Sequence, residues 1–217
     1  QVSTDVAHDL RAPLTRLRIR LEPLALSDKL PDDARHEVGN ALNEIDAISA
    51  TFSAILRLAR LESGAAKPVT ENADLARLVL ETGDLFRSSP DGTCTIDIRV
   101  PEQPVIQPCD RELVSQAVVN LLHNCVQHCP HPVHISLELY RDGSEVVISI
   151  ADDGPGIPPA DRDRVLKRFV RLDSSRRTPG TGLGLNLVAA VAELHGARLE
   201  VLDNSPGLRV NIRFPVH

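Results

Sequence analysis

Val38, Ala41, Ile45, Ile48, Phe52, Ile55 and Ala59 fall alternately three and four positions apart. An α-helix turns once in about 3.6 residues, so this spacing lays the seven side chains along one seam. The start of the chain carries a second such stripe, with Val6, Leu10, Leu14, Leu17, Leu21 and Leu24 at steps of three and four. Between them "LSDKLPDDA" (26–34) breaks the pattern at Pro31 and supplies acids suited to a new helix start. Two long helices joined by a short loop make a hairpin, and a lone hairpin covers little of its apolar seam. Residues 1–66 are therefore expected to form an all-α helical hairpin that pairs with a second copy as a dimeric four-helix bundle.

The period changes after "ESGAAKPVTEN" (62–72), a small, polar stretch holding Pro68 that reads as a linker. Beyond it, "ADLARLVLETGDLFR" is helix-like and "CTIDIRV" alternates as a strand. "RELVSQAVVNLLHNCVQH" is an amphipathic helix, and "VHISLELYRDG" and "SEVVISIADDG" are two strands around a turn at Asp142–Gly143. "GLGLNLVAAVAELHG" opens on glycines and closes on Gly196, as a helix does. "ARLEVLDNSPGLRVNIRFPV" supplies two last strands with a Pro-Gly turn. The chain thus reads as multidomain: the hairpin of 1–66, then an α+β sandwich over 67–217 with one helical layer on one sheet.

Composition removes several function classes. The formal net charge is −6, and aromatic residues are 2% of the chain with no tryptophan. A nucleic-acid partner is not expected, since it asks for a basic face or a base-stacking platform. No apolar run is long enough to span a bilayer, so this segment is expected to make no membrane contact. Four cysteines without paired spacing suit a reducing compartment. Methionine is absent even at position 1, from which the chain is expected to be part of a longer protein.

Three motifs carry chemistry, each weak alone. In "ADDGPGIP" (151–158) an apolar strand ends on Asp152 and Asp153, followed by Gly154 and Gly156. Glycines allow a tight turn and close approach to a flat ligand, and a carboxylate there can accept from an exocyclic amine such as that of adenine. A plain Asp-Gly turn explains the segment equally well. "PGTGLGLNLV" (179–188) opens a helix on glycines, where unpaired backbone N–H groups and the helix dipole favour anions. Taken singly it is also compatible with a dinucleotide fingerprint or a flexible loop. Just before it, Arg164, Arg168, Arg171, Arg176 and Arg177 suggest a mobile basic loop over phosphates. In "NLLHN", Asn120 and Asn124 are four apart on one helix face, and amide oxygens are ligands that Mg2+ accepts. Buried asparagines capping a neighbouring loop are the alternative. "CVQHCPHPVH" (125–134) gathers Cys125, Cys129, His128, His131 and His134, but small buried residues serve that helix position without a metal.

Taken in order, the segments resemble the class I sensor histidine kinases of two-component signalling across nearly the whole chain. "HDLRAPL" (8–14) is similar to the phosphoacceptor box, "NLLHN" to the N box and "DDGPG" to the first glycine box. "RFVR" is similar to the F box and "GTGLGL" to the second glycine box. The resemblance implies ATP-dependent phosphorylation of His8, assisted by Asp9, and onward transfer to an aspartate on a response regulator receiver domain. It implies that Asn124 holds Mg2+ with Asn120 in support, and that Asp152 reads adenine in a pocket shaped by Gly154 and Gly156. Arg171 and Arg176 are implied phosphate contacts. The resemblance further implies that Gly180, Gly182 and Gly184, with Thr181 and Leu183 between them, let the lid hinge and the helix start cradle phosphates. The implied fold is a Bergerat-type sandwich, and the implied setting is the cytoplasmic portion of a bacterial inner-membrane sensor.

His8 also accounts for a proline one turn later. A nucleophilic imidazole must be neutral and held in one tautomer. An adjacent acid that accepts Nδ1–H leaves the Nε2 lone pair for phosphorus. Pro13 has no N–H for the carbonyl of Asp9, so a bend is expected just beyond His8. Four positions depart from the family pattern: Ala12, Gln127, His128 and Pro179. The last three are expected to tune nucleotide affinity. Ala12 stands where relatives carry a hydroxyl or amide one turn after the histidine, and weak phosphatase activity toward the regulator is expected from its loss.

Overall fold

The computed structural model describes residues 2–27, 30–62, 69–87, 94–130, 132–165 and 184–215. The chain divides into two compact units, 1–67 and 68–217, each taken here by itself. The first consists of α1 (Val2–Ala25) and α2 (Asp32–Glu62). α1 runs through both Pro13 and Pro23. Asp32 and Asp33 occupy the first turn of α2, where carboxylates meet the positive end of the helix dipole. Arg18 donates to Asp46 Oδ1 at 2.9 Å and ties the two helices polar face to polar face.

Ile45, Thr51, Ala54 and Leu56 of α2 are buried within one hairpin. Among the described side chains of the α1 stripe, Leu17 remains 47% and Leu24 43% exposed, while Leu14 and Leu21 are half-buried. One chain therefore leaves part of its own seam facing solvent.

The second unit opens with β1 (Glu71–Asp74), then α3 (Leu75–Arg87), β2 (Cys94–Arg99) and β3 (Ile106–Cys109). It continues with α4 (Arg111–His128), β4 (Val133–Asp142), β5 (Glu145–Asp152) and α5 (Pro159–Val165). The last elements are α6 (Gly184–Leu194), β6 (Arg198–Asp203) and β7 (Leu208–Pro215). β1 and β3 pair antiparallel apart from the main sheet, whose order is β2-β4-β5-β7-β6. Only β2 and β4 run parallel in it; the other neighbours are antiparallel.

Strand alternation decides which side of the sheet is covered. Ile135, Leu137, Leu139, Ile148, Ile150, Val210, Ile212 and Phe214 share one face and are buried beneath α3, α4 and α6. The opposite face carries Ser149, Glu200, Arg209, Asn211 and Arg213. There Arg213 donates to Glu200 at 2.7 Å and to Asp142 at 2.8 Å. The hydrogen bond from Arg213 holds the Glu200 carboxyl below its ordinary range. This is the α+β sandwich expected from the sequence.

Three short elements were not anticipated. β1 and β3 have four residues each and α5 has seven, too few to display a period. α3 begins at Leu75 because Asp74 Oδ1 accepts from both Ala76 N and Val105 N, each at 3.0 Å. That contact caps the helix and draws the 73–74 segment into β1. His195 joins two helix ends. Its Nε2 accepts from Asp110 N at 2.9 Å, so its proton sits on Nδ1 and is given to the Val191 carbonyl at 2.7 Å. Asp110 in turn caps α4 by accepting from Leu113 N at 3.2 Å.

Candidate functional site

Asp152 is the last residue of β5 and has the same parity as Ile148 and Ile150, so its side chain turns to the helix-covered face. It is only 7% exposed. A buried carboxylate must be met by donors. Oδ1 accepts from Gly154 N at 2.9 Å, within the glycine turn, and from Leu208 N at 3.2 Å, across the sheet end. Two amides fix the oxygen while the carboxylate keeps acceptor capacity toward a ligand.

The C-terminal turn of α4 closes over this carboxylate with Cys125 and Cys129. A Cβ on Gly154 would overlap Cys129 Sγ, so a side chain there would force the thiol to shift. Burial raises both thiol pKa values, and the Asp152 charge raises them further, Cys129 to about 12. Both are thereby held toward the S–H form and are weak donors toward Asp152. The cysteine segment, noted in the sequence for its metal-ligand spacing, thus forms one wall around Asp152. His131 lies outside the described residues.

Asn120 and Asn124 stand on α4 as their spacing requires. Asn120 is buried and accepts from Gln116 Nε2 at 3.2 Å. Asn124 is half-buried, and its Oδ1 is 3.2 Å from where a Cβ on Gly184 would stand. Gly184 is the first described residue of α6, so the amide lies against that helix. His123, between the asparagines, packs its ring edge on Phe86 at 5.0 Å, and burial lowers its pKa. The second unit thus offers a buried carboxylate acceptor at the end of β5 and, on α4, an amide oxygen beside α6. That donor set fits a purine nucleotide with a hard divalent cation.

His8 and Asp9 stand in α1 of the other unit, and their side chains are outside the description. Arg171, Arg176, Gly180, Thr181, Gly182 and Leu183 also lie outside the described residues. Sequence reasoning overlooked the β6–β7 turn, "DNSPG" (203–207), which it treated only as a turn. In the structure Asn204 Nδ2 donates to the Asp152 main-chain carbonyl at 2.8 Å. Gly156 and Gly207 pack backbone to backbone, with a Cβ on Gly156 falling 2.7 Å from the Gly207 carbonyl oxygen. The one available hint was the glycine itself, which marks close backbone approach but names no partner.

Residues 109–217 match the family model described as histidine kinase-, DNA gyrase B-, and HSP90-like ATPase. Residues 1–64 match the His Kinase A (phospho-acceptor) domain. A signal transduction histidine-protein kinase/phosphatase MprB from Mycolicibacterium paratuberculosis (strain ATCC BAA-968 / K-10) is 34% identical over 94% of this chain and 40% of its own length. The sensor protein RstB of Escherichia coli (strain K12) is 33% identical over 100% of this chain and 48% of its own. The chain therefore spans less than half the length of these relatives. Among solved structures, a mycobacterial sensor histidine kinase MprB covers 67% of this chain and 97% of its own at 30% identity and TM-score 0.60. Full-length ShkA in complex with AMPPNP covers 98% and 45% at 23% identity and TM-score 0.70, a likeness of fold.

Proposed function

The chain belongs to the sensor histidine kinases of two-component signalling, and on that premise we propose that it phosphorylates itself on His8 with ATP and passes the phosphoryl group to an aspartate of a response regulator receiver domain. The observation that carries the nucleotide half is Asp152, a buried carboxylate whose Oδ1 is held by two backbone amides. Such a group has its place and orientation set before a ligand arrives, so it discriminates a purine amine at low ordering cost. In this reading Gly154 and Gly156 keep the base pocket open, and Asn124, supported by Asn120, presents its amide oxygen to Mg2+. The ion supplies charge neutralisation at the phosphates. Gly180, Thr181, Gly182, Leu183 and Gly184 bring backbone N–H groups to the phosphates, with Arg171 and Arg176 as charged contacts.

On the hairpin, Asp9 accepts Nδ1–H of His8 and leaves the Nε2 lone pair to attack the γ-phosphorus; ADP leaves. The test is incubation with γ-labelled ATP and Mg2+. Acid-labile, base-stable label on the chain, transferable to a receiver domain, is expected. Free phosphate without label would mean a simple ATPase, and binding alone a nucleotide-sensing module. The proposed setting is the cytoplasmic portion of a bacterial inner-membrane sensor. No helix among the described residues is long and apolar enough to cross a membrane.

The hairpin pairs with a second copy through the stripe it leaves uncovered, Leu14, Leu17, Leu21 and Leu24. Leu17→Glu with Leu24→Glu places carboxylates in that seam, at several kcal/mol per desolvated ion. Sedimentation should then show monomers with helical content intact. An unchanged dimer would move the interface elsewhere.

Ala12 bears on the reverse reaction. Positions 8 and 12 are one helical turn apart in α1 and share a face. A hydroxyl or amide at 12 could orient water for in-line attack on an aspartyl phosphate; alanine cannot. Phosphorylated regulator supplied with ADP should lose phosphate slowly with this chain and about tenfold or more faster with Ala12→Thr, the range of a positioned polar group. Fast loss with Ala12 in place would overturn this reading.

A further inference from the structure

The β6–β7 turn holds Asp152 at both ends of the residue. Asn204 Nδ2 donates to its main-chain carbonyl at 2.8 Å, and Leu208 N donates to its Oδ1 at 3.2 Å. The Asn204 amide has one possible orientation. Arg209 can only donate and gives its guanidinium to Asn204 Oδ1 at 3.1 Å, while the Asp152 carbonyl can only accept. The same guanidinium gives to Ser149 Oγ at 2.9 Å, on the strand that ends in Asp152. Ser149 is fully buried. A closed circuit thus runs from Ser149 through Arg209 and Asn204 back to Asp152.

The far end of the glycine turn is tied to the same place. Arg162 donates Nε–H to the Ile157 carbonyl at 2.9 Å and pairs with Asp203 at 3.0 Å. Segment 152–157 is therefore clamped at its start by Asn204 and at its end by Arg162, both through the 203–208 turn.

We infer that Asn204, oriented by Arg209, is a positioning residue that sets the adenine selectivity of Asp152. The inference rests on the reading that Asp152 accepts from the purine amine. A carboxylate discriminates by geometry only if its backbone is fixed, and a displacement of about 1 Å costs a site much of its selectivity. The backbone N–H of Leu208 fixes one carboxylate oxygen; the bond from Asn204 fixes the main chain that carries it.

The test uses the full chain and two probes, ADP and inosine diphosphate, titrated calorimetrically. The second probe lacks the 6-amino group. Asn204→Asp keeps the side chain's shape and its acceptor for Arg209 but sets oxygen against the Asp152 carbonyl. Asn204→Ala removes the donor without repulsion and serves if the aspartate variant does not fold. The preference for ADP over inosine diphosphate should fall about tenfold in Asn204→Asp and by a smaller factor in Asn204→Ala, as losing one buried hydrogen bond implies. Asp152→Asn should abolish that preference. If Asp152→Asn abolishes it and both Asn204 variants keep it, Asn204 does not position the base reader. Equal loss of both probes in the Asn204 variants would mean a merely structural role and overturn the inference. If Asp152→Asn itself keeps the preference, the adenine reading fails first.

Discussion

Replacing His8 by glutamine should reduce incorporation of label from γ-labelled ATP to background while leaving nucleotide affinity nearly unchanged. Glutamine is a good helix former of similar length, so α1 from Val2 to Ala25 loses little by the exchange. What it lacks is a basic ring nitrogen. Its amide nitrogen has no available lone pair, and its oxygen is too weak a nucleophile for phosphorus. The proposed nucleotide groups, Asp152 and Asn124, belong to the other compact unit, so nucleotide affinity should not follow the hairpin. Scintillation counting of the gel-separated chain reads the first quantity and ADP titration the second. Label persisting at the parent rate would place the phosphoacceptor at another residue.

Gly207→Ala should be the most damaging single methyl in the second unit, costing about 3 kcal/mol or more of stability. Gly207 has φ +111, a region that side chains rarely enter. Its Cβ would overlap the Asp152 carbonyl oxygen and lie 2.6 Å from the carbonyl carbon. The obstacle is backbone, so no rotamer change relieves it. Either the β6–β7 turn withdraws, losing the Asn204 and Leu208 bonds to Asp152, or the end of β5 moves. ADP affinity should fall with stability for that reason. Gly143→Ala is the internal control. It too has positive φ, +59, but nothing stands within 4 Å of its Cβ. It should cost only about 1 kcal/mol, the conformational penalty alone. Urea midpoints of the two variants give the comparison. Equal midpoints would mean that the turn tolerates the contact.

The two glycines differ in what a sequence can say of them. Gly143 follows Asp142 between two alternating strands, and its role in a hairpin is local and legible. Gly207 looks the same from its neighbours, since "DNSPG" is ordinary turn chemistry. Its constraint comes from Asp152, 55 positions earlier, and no local period encodes that meeting. Cys129 is a similar case. Its spacing from Cys125 and the neighbouring histidines also allowed metal ligands, the less favoured reading; the structure sets the thiol against the Asp152 carboxylate, and burial and that charge raise its pKa.

The sequence by itself determined the elements whose signals repeat within a few residues. The heptad seam required two long helices, the alternation of β4, β5 and β7 required a half-covered sheet, and Gly196 stood ready at a helix end. It also determined the order of the motifs, from His8 through "NLLHN" and "DDGPG" to "GTGLGL", that assigns the chain to its family. These are properties of neighbours, set by helix period, strand parity and turn sterics. The tertiary structure alone decided that β2 lies parallel to β4, that the cysteines close over Asp152, and that the β6–β7 turn grips that residue at both its carbonyl and its carboxylate. Each joins residues far apart in the chain, through hydrogen bonds and close approaches that exist only once the sheet has brought its strand ends together.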